Sequence, residues 1–295
     1  MASSKKPRKA RRPSFLTMGR EVVNLKVGSE EQVYSVHQDL LAYHSEYFRA
    51  LFKGSFREAQ EKASALPDTD CRTFEIFMDW LYSGQFPWEG SEDDNLPHVP
   101  TSGRDNTREV SEKVEDGDDT KDDEDGNAER KALDNAREGV AQYTLDLFIM
   151  ADRYNIPRLR HDALSHFFIF FAQDAQRTLS QSSVTKAFLF LPESSPMRTL
   201  ICDLFCARIQ KTNILEDARS ALPVDFMFDA LKGVQNIMKQ SGTSFLVRPH
   251  NKHRLCVYHH HEAGDADVCE YKEIPGTIYG PPDYPRKKGR HSGWG

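Results

Sequence analysis

The feature that most limits what this chain can fold into is a gap in its own periodicity. From Pro87 to about Gly139 no helical or strand pattern can be followed, and the segment is rich in Asp, Glu, Gly and Ser. Residues 89–139 hold 18 acidic and 7 basic residues, a net charge of -11, and are nearly free of aromatics past Trp88. Such a stretch buries too little apolar surface to offset the entropy of ordering it, and is expected to be disordered. Any fold must therefore be assembled from the residues on either side. A loop this long inside one domain normally counts against a domain assignment. Here the composition favours an insertion over a missed element.

The residues before the gap alternate between two periods. Glu21–Val27 has strand composition, and a second short strand is expected at Gln32–Val36, after the turn-like Gly28-Ser29. A helical stripe comes next at Leu41, Phe48, Leu51 and Phe52, the last three at i, i+3 and i+4. Ala65-Leu66 reads as a short strand before a turn at Pro67-Asp68. Asp70 is an N-cap for a helix whose Phe74, Phe77, Met78, Leu81 and Tyr82 share one face, closed by Ser83-Gly84. After the gap the pattern is helical from Tyr143. Leu147, Met150, Ala151 and Tyr154 form one stripe, broken at Asn155-Ile156-Pro157. Leu164, Phe167, Phe168 and Phe171 form the next. Val184, Ala187, Phe188 and Leu191, a helix around Leu200–Ile209, and Val224, Met227, Phe228 and Leu231 continue the helices to about Lys239. Beyond Ser241-Gly242 the chain is expected to be loop-like.

Composition sets outer bounds. The chain has 295 residues and 38% hydrophobic content, low for a chain folded throughout. No run reaches the roughly 18 apolar residues of a membrane helix. Residues 1–20 carry seven basic and no acidic residues, with no apolar segment behind them, so a secretory signal is not expected. Five cysteines without such a signal point to reduced thiols inside the cell. Charge concentrates in the two tracts expected to be disordered. The remainder carries about -2 of the total -6, which gives no sign of a nucleic-acid groove.

Several quoted residues carry a family likeness when taken together. They are Val36-His37 with Leu40 or Leu41, then Ser45, Phe48 and Phe52; Leu66 and Asp68; Trp80-Leu81-Tyr82-Ser83-Gly84; and Ala151-Asp152-Arg153-Tyr154 with Leu159. As a set these resemble the BTB/POZ domain, a protein-interaction fold, over about residues 21–86 and 140–172. The break at 87–139 resembles that of fungal-type members. The resemblance implies an α+β fold: a BTB/POZ domain at 21–172, a small sheet packed with a helical cluster, interrupted by the insertion. An all-helical extension at 173–240 and a loop-like tail at 241–295 come after it. The insertion stands where a fifth strand is usual, which puts that strand in doubt.

The resemblance also implies what such a chain binds. Members of the family self-associate or recruit a cullin-type ubiquitin ligase scaffold. The cullin-binding ones carry a hydrophobic-x-Glu signature after the Phe48/Phe52 helix. Phe56-Arg57-Glu58 stands at that point, an aromatic anchor and a carboxylate to be held by a donor on the partner. The plain alternative is that Phe56 is core and Glu58 a solvated loop charge. The expected function is a substrate adaptor for a cullin-type ligase. The other reading is a self-associating scaffold or nuclear co-regulator without a ligase role, with another BTB chain as partner in a homodimer. Neither membrane nor direct nucleic-acid binding is expected.

Catalysis is not expected. His37 and Asp39 have the types of a base and its carboxylate, but no nucleophile accompanies them at a recognisable spacing. The resemblance makes them structural, or lining for a groove between subunits. Cys202 and Cys206 fall at i, i+4 with no second pair of ligands near, the pattern of buried free thiols. At the C-terminal end, Cys256, His259, His261 and Cys269 offer two sulfurs and two imidazoles, a candidate structural zinc set, at a spacing that matches no known finger. A His-rich polar tail is the plain alternative. Lys5, Lys6, Arg8, Lys9, Arg11 and Arg12 form a basic run of nuclear-import type. The expected location is intracellular, in the nucleus or the cytoplasm.

Overall fold

Alternation in the first strand builds the sheet. In Val22–Val27 (β1) the residues alternate between exposed and buried, with Val23, Leu25 and Val27 turned inward. A computed structural model of the chain describes residues 12–88, 139–173, 177–208, 222–241 and 255–258. These residues group into two compact units, one drawn from 12–41 and 61–143, the other from 42–60 and 144–295.

In the first unit β1 pairs antiparallel with Gln32–His37 (β2) and parallel with Ala63–Leu66 (β3), giving a three-stranded sheet in the order β2-β1-β3. Gly28 makes the turn out of β1 at φ +74°, a conformation that costs glycine little, and donates its N–H to Leu66 O at 3.1 Å. The expected cap on the next helix, Cys71–Ser83, is present. Asp70 accepts the Thr73 N–H at 2.9 Å, and the helix stops at Gly84, whose φ of +84° lets its N–H reach back to Trp80 O at 2.8 Å. The buried face is wider than the expected stripe. Ile76 and Trp80 join Phe74, Phe77 and Leu81 in the core, while Met78 and Tyr82 are half-buried. The Tyr34 ring of β2 lies on Phe74 at 4.9 Å, coupling sheet to helix.

The helices bear labels in chain order: Gln38–His44 (α1), Glu46–Lys53 (α2), Arg57–Glu61 (α3), Cys71–Ser83 (α4), residues 139–153 (α5), Pro157–Gln173 (α6), Gln181–Phe190 (α7), Pro196–Arg208 (α8) and Val224–Ser241 (α9). The stripe from Leu41 to Phe52 does not run along one helix. Ser45 interrupts it in extended conformation and caps α2.

In the second unit Ser45 holds the centre. Its Oγ, in a residue 1% exposed, accepts the Phe48 N–H at 3.0 Å and donates to Tyr154 O at 2.6 Å. The Tyr154 ring stacks on Phe48 at 5.5 Å. Asn155, at φ +47°, and Pro157 turn the chain from α5 into α6, and Arg160 pairs with Asp152 across that turn at 3.0 Å. Thus the Ala151-Asp152-Arg153-Tyr154 segment supplies a buried methyl, an ion pair, a stacked ring and a carbonyl acceptor. The expected stripes of α5, α6 and α7 are buried throughout, and α5 is helical already at residue 139, ahead of Tyr143.

The last helix departs from expectation. Val224, Phe228 and Leu231 are exposed, Phe228 by 60%, and Met227 is half-buried; α9 buries Phe226 and Ala230 instead. Apolar residues occupy two faces of α9, and small ones decide which face packs. Cys206 Sγ reaches Ala230 O at 3.4 Å, and a Cβ on Gly233 would stand 2.8 Å from that sulfur. A second departure lies beyond Ser241. Leu255–Val257 forms a 3-10 turn with Leu255 and Tyr258 buried, the Tyr258 hydroxyl donating to Asp203 at 2.7 Å.

Replacing Ser45 with alanine removes a helix cap and a buried hydrogen bond together. The expected cost is about 2 kcal/mol, read as a lower urea midpoint at unchanged slope.

Candidate protein-interaction surface

The surface around Phe56 is shaped by the end of α2. The helix stops at Gly54, which donates its N–H to Ala50 O at 3.0 Å. A side chain at Gly54 would overlap that carbonyl oxygen and press on the Phe56 ring at 3.2 Å. The absent Cβ thus lets the chain turn sharply and bring Phe56 beside the helix end. Phe56 O then accepts the Ala59 N–H at 3.1 Å and opens α3. Phe56 is 55% exposed, so the alternative that placed it in the core is overturned. Glu58, in the first turn of α3, is half-buried.

Tyr47 belongs to the same unit and is also exposed. Its ring packs against Phe48 at 5.2 Å and Tyr154 at 5.4 Å. Burial is the largest cause that pushes its phenol above the usual range, followed by Tyr154 and the Glu58 carboxylate. Tyr47 therefore stays neutral and able to donate at physiological pH, with a negative charge near it. An exposed aromatic between α2 and α3, a carboxylate on α3 and a phenol on α2 offer groups that can anchor a partner by burial and orient it by charge. Sequence reasoning passes over Tyr47, because its aromatic neighbours read only as core.

His37 and Asp39 do not form a dyad. Tyr82 Oη accepts the His37 backbone N–H at 3.2 Å and lies 2.8 Å from His37 Nδ1. Asp39 Oδ2 accepts the Gly19 N–H at 2.8 Å. The two side chains serve separate structural bonds.

Cys202 and Cys206 are buried free thiols, in keeping with their spacing. Burial pushes them up to about 12 and about 11, and the Asp229 charge adds to the shift of Cys202. Cys256 is half-buried in the 3-10 turn. The other candidate zinc ligands, His259, His261 and Cys269, lie outside the described residues, within which no group of three metal-binding side chains gathers. Of the candidate import run, Lys5, Lys6, Arg8, Lys9 and Arg11 also lie outside them. Arg12 is described, and donates to the last carbonyls of α4. The acidic segment falls outside from 89 to 138. Among the described residues no helix is long and apolar enough to cross a membrane.

Because both buried thiols titrate far above neutrality, they remain protonated at pH 8. Alkylation of Cys202 and Cys206 in the native chain is expected to run roughly 100-fold or more below the rate after denaturation. Peptide mass spectrometry after timed iodoacetamide treatment reads this directly.

Residues 19–101 match the family model of the BTB/POZ domain. No curated protein matches the chain. The chain contains a BTB domain with a small mixed sheet of three strands and helices, and a helical region after it. BTB domains are protein-protein interaction modules that bind other proteins and self-associate, and they are generally not enzymes.

Proposed function

We propose that this chain is a substrate adaptor for a cullin-type ubiquitin ligase, and that it contacts the cullin through Phe56 and Glu58. The observation that supports this reading is the exposure of Phe56. An aromatic ring held 55% open beside a capped helix end contributes little to the core. It is well placed to fill a pocket on a partner. Glu58 supplies a carboxylate two residues along the chain from the anchor, and Tyr47 adds a neutral donor. The helices beyond residue 173 then carry the recruited substrate.

The second reading, a self-associating scaffold or nuclear co-regulator, makes no demand on Phe56 or Glu58. The two readings part in one experiment. The full chain should bind a cullin N-terminal domain, and the Phe56→Ala, Glu58→Ala double variant should bind about 30-fold more weakly, the loss of about 2 kcal/mol typical of an anchor. Its urea midpoint should match that of the parent. Equal binding by the double variant removes these residues from the contact. Absence of binding by the parent, with a clean dimer mass in light scattering, favours the scaffold.

A further inference from the structure

The described chain begins by docking on α4. Arg12 Nη2 donates to Leu81 O at 2.8 Å and to Tyr82 O at 2.9 Å. These are last-turn carbonyls that a helix end leaves without intrahelical partners, and they carry the negative end of its dipole. Gly84 leaves room for the guanidinium, since a Cβ there would sit 3.1 Å from Arg12 Nη1. Three residues later Phe15 stacks on Tyr82 at 6.3 Å and meets the edge of His37 at 5.9 Å. The docking is shallow. Phe15 remains 75% exposed, and among the described residues Arg12 Nε has no hydrogen-bond partner.

Ser14 lies between these two contacts. It is exposed, its Oγ shares a hydrogen bond with Thr17 Oγ1 at 3.1 Å, and its carbonyl accepts from Thr17 and Met18 in a turn. The residues before it are Arg11-Arg12-Pro13, within a segment that carries no acidic side chain up to residue 20. Two cations just ahead of an exposed hydroxyl, with a proline that keeps the preceding residue extended, suit a kinase cleft with an acidic rim. Apolar Phe15 and Leu16 come next, both exposed.

We infer that Ser14 is a phosphorylation site for an arginine-directed protein kinase, and that phosphate there draws Arg12 off the C-terminus of α4. In the transfer, Ser14 Oγ forms a bond to the γ-phosphorus of a nucleoside triphosphate. The bond from that phosphorus to the β-bridging oxygen breaks, the hydroxyl proton passes to the kinase base, and a nucleoside diphosphate leaves. The product carries close to two negative charges and three acceptor oxygens. A guanidinium bonds a phosphate more strongly than it bonds two neutral carbonyls, because donor and acceptor are then both charged. Arg12 is two residues away and exchanges one partner for the other. Segment 12–18 then leaves α4, and Phe15 uncovers His37 and Tyr82.

The test uses the full chain, a purified arginine-directed kinase and ATP, with phosphate located by peptide mass spectrometry. Ser14 should be modified to near completion, and an Arg11→Ala, Arg12→Ala variant should be modified at least 10-fold more slowly. Hydrogen exchange then compares unmodified chain, phosphorylated chain and the single variant Arg12→Ala. Residues 12–18 and 81–86 should exchange faster in the phosphorylated chain, to the same extent as in Arg12→Ala. A Ser14→Ala chain treated with the kinase should exchange as the unmodified chain does. Absence of phosphate on Ser14 overturns the site, and phosphate with unchanged exchange overturns the release.

Discussion

The Ser45 hydroxyl is the interaction on which the helical unit depends. It closes the first turn of α2 and at the same time holds the Tyr154 carbonyl at the end of α5. These residues are 109 apart in sequence, on opposite sides of the acidic stretch. Neither bond is replaceable by solvent, because Ser45 is buried. The Phe48–Tyr154 stack adds apolar contact at the same point. Residues from both sides of the acidic stretch are therefore one folded body in this unit.

That arrangement bears on function through α2. The helix whose start Ser45 fixes is the helix whose end, at Gly54, sets the direction of Phe56. A partner that reads Phe56 and Glu58 thus reads a position determined by residues near 154. Tyr47 binds the two ends together, since its ring touches Phe48 and Tyr154 while its phenol feels the Glu58 charge. An interaction module gains from such stiffness, because little side-chain and loop entropy remains to be lost on binding.

Much of the fold is legible where one local rule suffices. Asp70 and Gly84 mark the ends of α4 by capping chemistry alone, and the stripes of α5 to α7 come from period 3.6. The break at Ser45 is not legible in this way. Leu41 and Phe48 are seven residues apart and fall on one helical face, so periodicity runs straight through the cap. The error at α9 has a different cause. The helix is apolar on two sides, and its packed side is chosen by Ala230 and Gly233, which carry almost no hydrophobic signal but allow a close approach to Cys206. Arg12 reads as part of an import run because its partners, Leu81 and Tyr82, lie about seventy residues away. Leu255 and Tyr258 are hidden by the polar sequence around them. The exposure of Phe56 cannot be read from sequence, since an aromatic beside a helix end suits core and contact equally.

If residues from both sides of the acidic stretch form one folded interaction unit, cutting the stretch should leave that unit intact. A site for a sequence-specific protease placed after Gly117 tests this most directly, with cleavage followed by size-exclusion light scattering and urea unfolding of the nicked chain. The two fragments are expected to stay together at the mass of the intact chain and to unfold at the urea midpoints of the intact chain. Fragments that separate without denaturant, or that unfold independently, would contradict a single unit.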